Sequence, residues 1–443
     1  MSIVPSMLDN QNCDLVVRAS FLHFIDDPAL NDNSYEYLED GLLILYQGKV
    51  QRLVEALDWI DHLPDGCSYY DYSGRLILPG FIDTHNHYAQ SEMIVSFGKQ
   101  LLDWLQDYTF PTEAKFGDAQ YAEGIADFYC DELLRNGTTT AAIYATVHPE
   151  SVDAIFKQAQ KRDMCVIAGK VMMDRNAPDY LCDSAELSYR QSAELIARWH
   201  QKGRAHYAVT PRFAPCSSEA QLEVCGQLLR ENPELYLQSH AAENKAEVEW
   251  VAQLFPERRS YLDVYDFYQL LGERSIYGHC IYLDDQDRRR LAQSGAAIAY
   301  CPSSNLFLGS GLFDLDAAVE QNIRLGLATD VGAGTSFSLL KTMSDAYKVG
   351  QLAGQQLSPL KAFYLATLGG ARSLSLEQNL GNFEPGKDAD FVVVELTPTP
   401  IMEKRMEQSE SIEDQLFALM MLGDDRNIQA THIMGKRQYL RAD

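Results

Sequence analysis

Between residues 76 and about 375 the chain alternates short apolar runs with longer stretches of helical periodicity. The runs cover 76–83, 138–145, 165–172, 206–210, 235–239, 275–278, 296–300 and 325–329. Between the first two, the segment 118–135 spaces Tyr121, Ile125, Phe128, Tyr129 and Leu133 at helical intervals, with Gly137 just past its end. Eight strand-like runs separated by helix-length segments predict parallel βα units. That number over this length matches an α/β fold of the (β/α)8 TIM-like barrel type. A doubly wound sheet is the alternative.

The flanks follow a different pattern. Residues 14–24, 41–46 and 50–57 are strand-like, and Gln47-Gly48-Lys49 makes a turn between the last two. At the other end 389–396, 429–434 and 437–440 repeat the pattern around Gly435-Lys436. Hairpins at both ends predict a small, discontinuous β-sandwich domain built from residues 1–75 and 376–443 around a barrel of residues 76–375. Pro398, Pro400 and the acidic stretch 403–414 predict a solvated excursion from it.

Composition narrows the function. The 443 residues carry 37 Lys+Arg against 63 Asp+Glu, a formal charge of −26. Such a surface repels phosphate backbones and anionic bilayers, so neither nucleic acid nor membrane is an expected partner. No apolar stretch approaches a membrane span, and the first residues lack a basic segment followed by an apolar run, so no secretory leader is expected. The nine cysteines are scattered without a CxxC pair, which points to a reducing, cytoplasmic setting.

In a barrel of this kind the strand C-terminal ends carry the chemistry. His85 and His87 stand after the first run, His240 after the fifth, His279 after the sixth and Asp330 after the eighth. His23, His62, His148, His200, His206 and His432 lack this placement. Residues i and i+2 of an extended chain point the same way, so His85 and His87 can reach one ion. A third imidazole and a carboxylate from other strand ends complete a shell suited to Zn2+ or, second, Fe2+.

Several motifs resemble the amidohydrolase superfamily: LPGFIDTHNH at 78–87, SHAAEN at 239–244, Gly278-His279, CPSSN at 301–305 and ATD at 328–330. PGKDAD at 385–390 fits it too. Within that superfamily the chain is similar to the guanine deaminase family, through HYAQ at 87–90, MDRNAPD at 173–179, TPRFAPCS at 210–217, SSNLFLGSGLF at 303–313 and DVGAGTSF at 330–337.

The resemblance implies one zinc ion per chain, held by His85, His87, His240 and Asp330, with His279 close to it or bound. Dinuclear relatives place a carboxylated lysine at the end of the fourth strand. Here that strand ends Thr210-Pro211-Arg212, and Lys170, inside the third run, reads as structural. Asp330 would accept a proton from the attacking water, Glu243 would shuttle it to a ring nitrogen, and His279 would stabilise the oxygen on the tetrahedral carbon. Arg212 offers a planar donor fork for a carbonyl oxygen, and Gln90 offers both donor and acceptor. In the resembled family the matching pair grips a purine base, and the aromatic in the place of Phe213 lines its pocket.

The expected reaction is hydrolysis of guanine to xanthine and ammonia by a homodimer. Another aminated ring (a pterin, a cytosine, an oxidised purine), a triazine, or an inactive scaffold are the alternatives. Gly309-Ser310-Gly311 and Gly332-Ala333-Gly334 complete no phosphate-loop motif and are expected to shape loops over the pocket. Pro215-Cys216 is not the PCxxC of cytidine-type zinc deaminases, and Cys301 reads as packing.

Overall fold

Eight parallel strands, Phe81–His87, Thr138–Tyr144, Cys165–Gly169, Ala205–Pro211, Tyr236–Ala241, Ser275–His279, Ala297–Tyr300 and Arg324–Leu327, are hydrogen-bonded in chain order. The computed structural model describes residues 13–63, 66–97 and 100–442, so the stretch read for a secretory leader lies almost wholly outside the described residues. Helices cover the barrel, which explains why its strands read as unbroken apolar runs. In the helix Ala119–Arg135, Asp118 caps the first turn by accepting from the N–H groups of Gln120 and Tyr121. Ala122, Ala126, Tyr129, Cys130 and Leu133 are its buried stripe, whereas Phe128 is exposed.

The first strand is displaced from its sequence reading. Leu76–Pro79 belong to the strand Ser68–Pro79 of the terminal sheet, and the barrel strand starts at Phe81. His85 and His87 therefore lie within the first strand rather than after it. The third strand is interrupted at Lys170, where the short strand Val171–Met172 turns to pair with Ala205–Pro211.

Among the described residues no strand ladder joins the eighth strand to the first. Their junction is closed by Thr84 Oγ1 donating to the Leu327 carbonyl at 3.0 Å and the Thr329 N–H donating to Asp83 Oδ1 at 3.0 Å. The Thr329 hydroxyl donates to Asp83 Oδ2. Two backbone bonds follow, Asp330 N–H to the His85 carbonyl at 2.9 Å and His87 N–H to the Val331 carbonyl at 3.2 Å. Gly326 permits the approach, since a Cβ there would stand 2.2 Å from Thr84 Cγ2.

The terminal segments form one continuous seven-stranded mixed sheet in the order Lys436–Leu440, Ile428–Ile433, Phe391–Val394, Ser68–Pro79, Leu15–Phe24, Tyr35–Tyr46, Lys49–Glu55. The segment 403–414, read as a solvated excursion, is exposed or half-buried throughout and joins two helices, Pro400–Met406 and Ile412–Leu422. Leu416, Ala418, Leu419 and Met420 bury the second against the barrel helices Leu339–Ala353 and Pro359–Leu365. The apolar run LFALMML outweighs the acidic residues before it.

Candidate active site

One cavity at the C-terminal ends of the barrel strands is lined by His87, Gln90, Arg212, Phe213, His240, Glu243, His279 and Asp330. Leu101, Trp104, Leu105, Leu308 and Ala333 complete its wall. The six histidines without strand-end placement do not line it.

The imidazoles converge. Nε2 of His87 and Nε2 of His240 face each other at 3.1 Å. Nε2 of His85 and Nε2 of His87 each lie 3.4 Å from Asp330 Oδ1. Nε2 of His279 is 3.9 Å from Asp330 Oδ2 and 3.5 Å from Glu243 Oε2. Tyr144 packs its ring on His85, His87 and His240 with centroids 4.5–4.9 Å apart.

The outer ring nitrogens are fixed by neighbours. His240 Nδ1 pairs with the Arg212 carbonyl at 2.7 Å and His279 Nδ1 with Asn305 Oδ1 at 2.9 Å. Each Nδ1–H donates to that oxygen, which leaves the Nε2 lone pair facing the cluster. Burial holds His85, His87 and His240 below the usual histidine range, so they are neutral. Burial works against the charged form of His279, but the carboxylates of Glu243 and Asp330 outweigh it and raise its pKa. Burial opposes ionisation of Asp330, yet the imidazoles around it, His85 first and then His279, hold its pKa below the usual range.

This donor set fits a divalent metal. Nε2 of His87 and Nε2 of His240 face each other at 3.1 Å, close enough for one ion to take both, and the buried Nδ1 of His87 and Nε2 of His85 make no hydrogen bond among the described residues. Ligand atoms of His85, His87 and His240 lie within 4.8 Å of one another. Those of His85, His279, Cys301 and Asp330 do as well. Cys301 thus comes closer to the cluster than its packing role suggests. Its thiol donates to the Ala299 carbonyl at 3.3 Å, and burial pushes its pKa well above the usual thiol range. Lys170, by contrast, is buried in an ion pair with Asp183 and does not line the cavity.

Backbone strain marks the same place. His279 has φ of +69°, and the N–H of Cys280 bonds to the Gly278 carbonyl at 3.0 Å, a tight turn that swings the imidazole into the cavity mouth. Asp330 also sits at positive φ, +50°.

Sequence reasoning missed the wall opposite. A helical stretch runs from Leu101 to Gly117, with a π segment at Leu105–Thr109 between two α turns; it supplies Leu101, Trp104 and Leu105 to the wall, with Phe110 and Glu113 behind it. Glu113 accepts from Arg212 at 2.7 Å and from Gln90 at 3.1 Å. Asn305 and Ser310 were also passed over. Both sit in motifs quoted for the resemblance, which is the signal that would have found them.

Residues 76–437 match the model of the amidohydrolase family. Guanine deaminase of Escherichia coli strain K12 is 50% identical over 438 residues, covering 98% of this chain and 100% of that protein. A solved structure of E. coli guanine deaminase superposes with a TM-score of 0.94 over 96% of this chain and 100% of that one. Guanine deaminase from Bradyrhizobium japonicum gives a TM-score of 0.92 at 36% identity, covering 97% of this chain and 99% of that one. The C. acetobutylicum guanine deaminase solved with bound guanine gives 0.86 at 29% identity, over 96% of this chain and 99% of that one. The chain belongs to the amidohydrolase family and, within it, to the guanine deaminases.

Proposed function

We propose that this protein hydrolyses guanine to xanthine and ammonia with one zinc ion per chain. The observation that carries this reading is a single cavity. The imidazole–carboxylate cluster, Glu243 and the polar pair Gln90 and Arg212 all face it. His85, His87, His240 and Asp330 would hold the metal, with His279 beside it. When bound, zinc supplies a Lewis acid that lowers the pKa of a coordinated water from about 15.7 to near 7.

The chain's own groups do the rest. Asp330, kept ionised, takes a proton from the attacking water. Glu243 is buried beside the cluster and burial raises its pKa, the direction that suits a group passing a proton to the ring nitrogen next to the amino-bearing carbon. His279 donates to the oxygen as it becomes tetrahedral. Asp330 passes the proton it took to the amino nitrogen, the carbon–nitrogen bond breaks and ammonia leaves, and the hydroxyl proton returns to Glu243 as the carbon–oxygen double bond forms. Arg212 donates to the ring oxygen and Gln90 bonds the polar edge, while Phe213, Trp104, Leu105 and Leu308 keep bulk water out.

Incubating the purified protein with aminated purines, pterins and pyrimidines, and following ammonia, tests the reaction. Guanine should lead the panel. Faster turnover of adenine, cytosine or a pterin overturns the choice of substrate. Elemental analysis should find about one zinc per chain, and none under non-chelating purification counts against the metal. A homodimer in the cytoplasm belongs to the same proposal, with sedimentation and cell fractionation as its checks.

A further inference from the structure

Behind the base-binding wall stands a carboxylate that does not line the cavity. The Glu113 side chain is 1% exposed and that of Arg212 is 3% exposed. The two Glu113 oxygens are divided. Oε2 accepts from Arg212 Nη1 at 2.7 Å, and Oε1 accepts from Gln90 Nε2 at 3.1 Å. Both donors do line the cavity.

Two consequences follow from elementary chemistry. An amide that commits its nitrogen to one side turns its carbonyl oxygen away from it, so Glu113 fixes which way Gln90 faces. Gly332 leaves room for that oxygen, since a Cβ there would stand 2.1 Å from Gln90 Oε1. The second consequence is charge. A buried guanidinium without a partner would meet the bound base as a full positive charge, whereas paired with Glu113 the clamp is net neutral. The Phe110 ring, one turn before Glu113 on the same stretch, lies 5.6 Å from the guanidinium and steadies the pair.

We infer that Glu113 is a positioning residue that orders the donors and acceptors of Gln90 and Arg212 and tunes the clamp for a neutral oxopurine over an anionic one. This rests on the guanine-deaminase reading above. Neutral guanine is then held, whereas xanthine, a stronger acid, gains no charge attraction once ionised and is released.

The test uses the metal-loaded enzyme in mildly alkaline buffer, where xanthine is anionic, and measures KM for guanine and the inhibition constant for xanthine. Glu113→Gln keeps the shape and removes the charge. The ratio of the xanthine constant to the guanine KM should fall at least about tenfold, with bound metal unchanged. Glu113→Asp keeps the charge but shortens the reach, so KM should rise while the ratio stays near wild type. In an Arg212→Ala background, Glu113→Gln should leave the ratio where Arg212→Ala alone puts it. An unchanged ratio in metal-loaded Glu113→Gln overturns the assignment. Should that variant not fold, a Glu113→Asp enzyme with a shifted ratio and wild-type KM overturns it instead. Wild-type protein that releases no ammonia from guanine overturns the deaminase reading and this inference together. Wild-type turnover with an unchanged ratio overturns this inference alone.

Discussion

Ser310 donates its hydroxyl to Oε1 of Glu243 at 2.9 Å, while the other oxygen of that carboxyl lies 3.5 Å from Nε2 of His279. The carboxyl is thus held between a donor and the imidazole beside the histidine–aspartate cluster. Burial raises its pKa and the Ser310 bond pulls the other way. Glu243→Gln keeps size and polarity but removes the exchangeable proton, so kcat should fall by about 10²–10⁴-fold with metal retained. Ser310→Ala removes the opposing bond, so the alkaline limb of the kcat profile should move to higher pH. Near-normal turnover in Glu243→Gln would take that residue out of the reaction.

Asn305 acts on His279 from outside the cavity, through the 2.9 Å bond to Nδ1. Asn305→Leu deletes the acceptor and frees the ring to rotate or change tautomer. Activity or metal affinity should drop about 10–100-fold, the usual cost of losing such a partner. Asn305→Asp, which keeps an acceptor, should lose less. Equal losses in the two variants, by steady-state kinetics and metal titration, would contradict the orienting role.

On the proposed reading, Arg212 would decide between purines. Guanine has an oxygen where adenine has an amino group, so an arginine donor meets an acceptor in one and a donor in the other. Sites built on such bonds reject the wrong ring by about 10⁴–10⁵. Wild type should therefore act strongly on guanine and little on adenine. Arg212→Ala should lower kcat/KM for guanine at least about 10²-fold without releasing metal. Comparing both bases on both proteins checks it.

Glu247 gives stability a pH dependence. Its Oε2 accepts from the backbone N–H groups of Glu243 at 2.9 Å and Asn244 at 3.0 Å, and its Oε1 from the Tyr261 hydroxyl at 2.6 Å. Burial, then the charge of Glu243, raises its pKa to about 7. Unfolded, it titrates near 4.3. The folded state therefore binds the extra proton in between, so the contribution is complete below about pH 4 and is lost as pH rises through about 7. The loss is at most about 4 kcal/mol, at 1.36 kcal/mol per unit. Denaturant unfolding of wild type and Glu247→Gln across that window should show a flatter profile in the variant. Parallel profiles would count against Glu247 as the source.

The barrel was legible because its strands are buried on both sides, which forces continuous apolar runs whose spacing survives in the sequence. His85 and His87 were legible because i and i+2 on an extended chain share a face. Glu113 was not. A glutamate reads as surface until its partner is known, and Arg212 lies 99 residues further on. The stretch that carries it has a π segment at Leu105–Thr109 and Pro111, so no 3.6-residue repeat announces it. The first strand was set too early because Leu76–Pro79 and Phe81–His87 are both apolar, and only Gly80 separates the sheet they leave from the barrel they enter.

The junction between the eighth and first strands has a further consequence. His85 and His87 stand on one side of it and Asp330 on the other, so an ion held by all three would bridge the place where, among the described residues, the hoop of strands lacks its ladder. Such an ion is a rivet as well as a reagent. Its binding energy counts toward ring closure, and its removal loosens the wall at the join while the opposite side stays laddered. Inactivation by a chelator and mechanical opening of the barrel then become one event, reported by hydrogen exchange at the amides of His87 and Asp330.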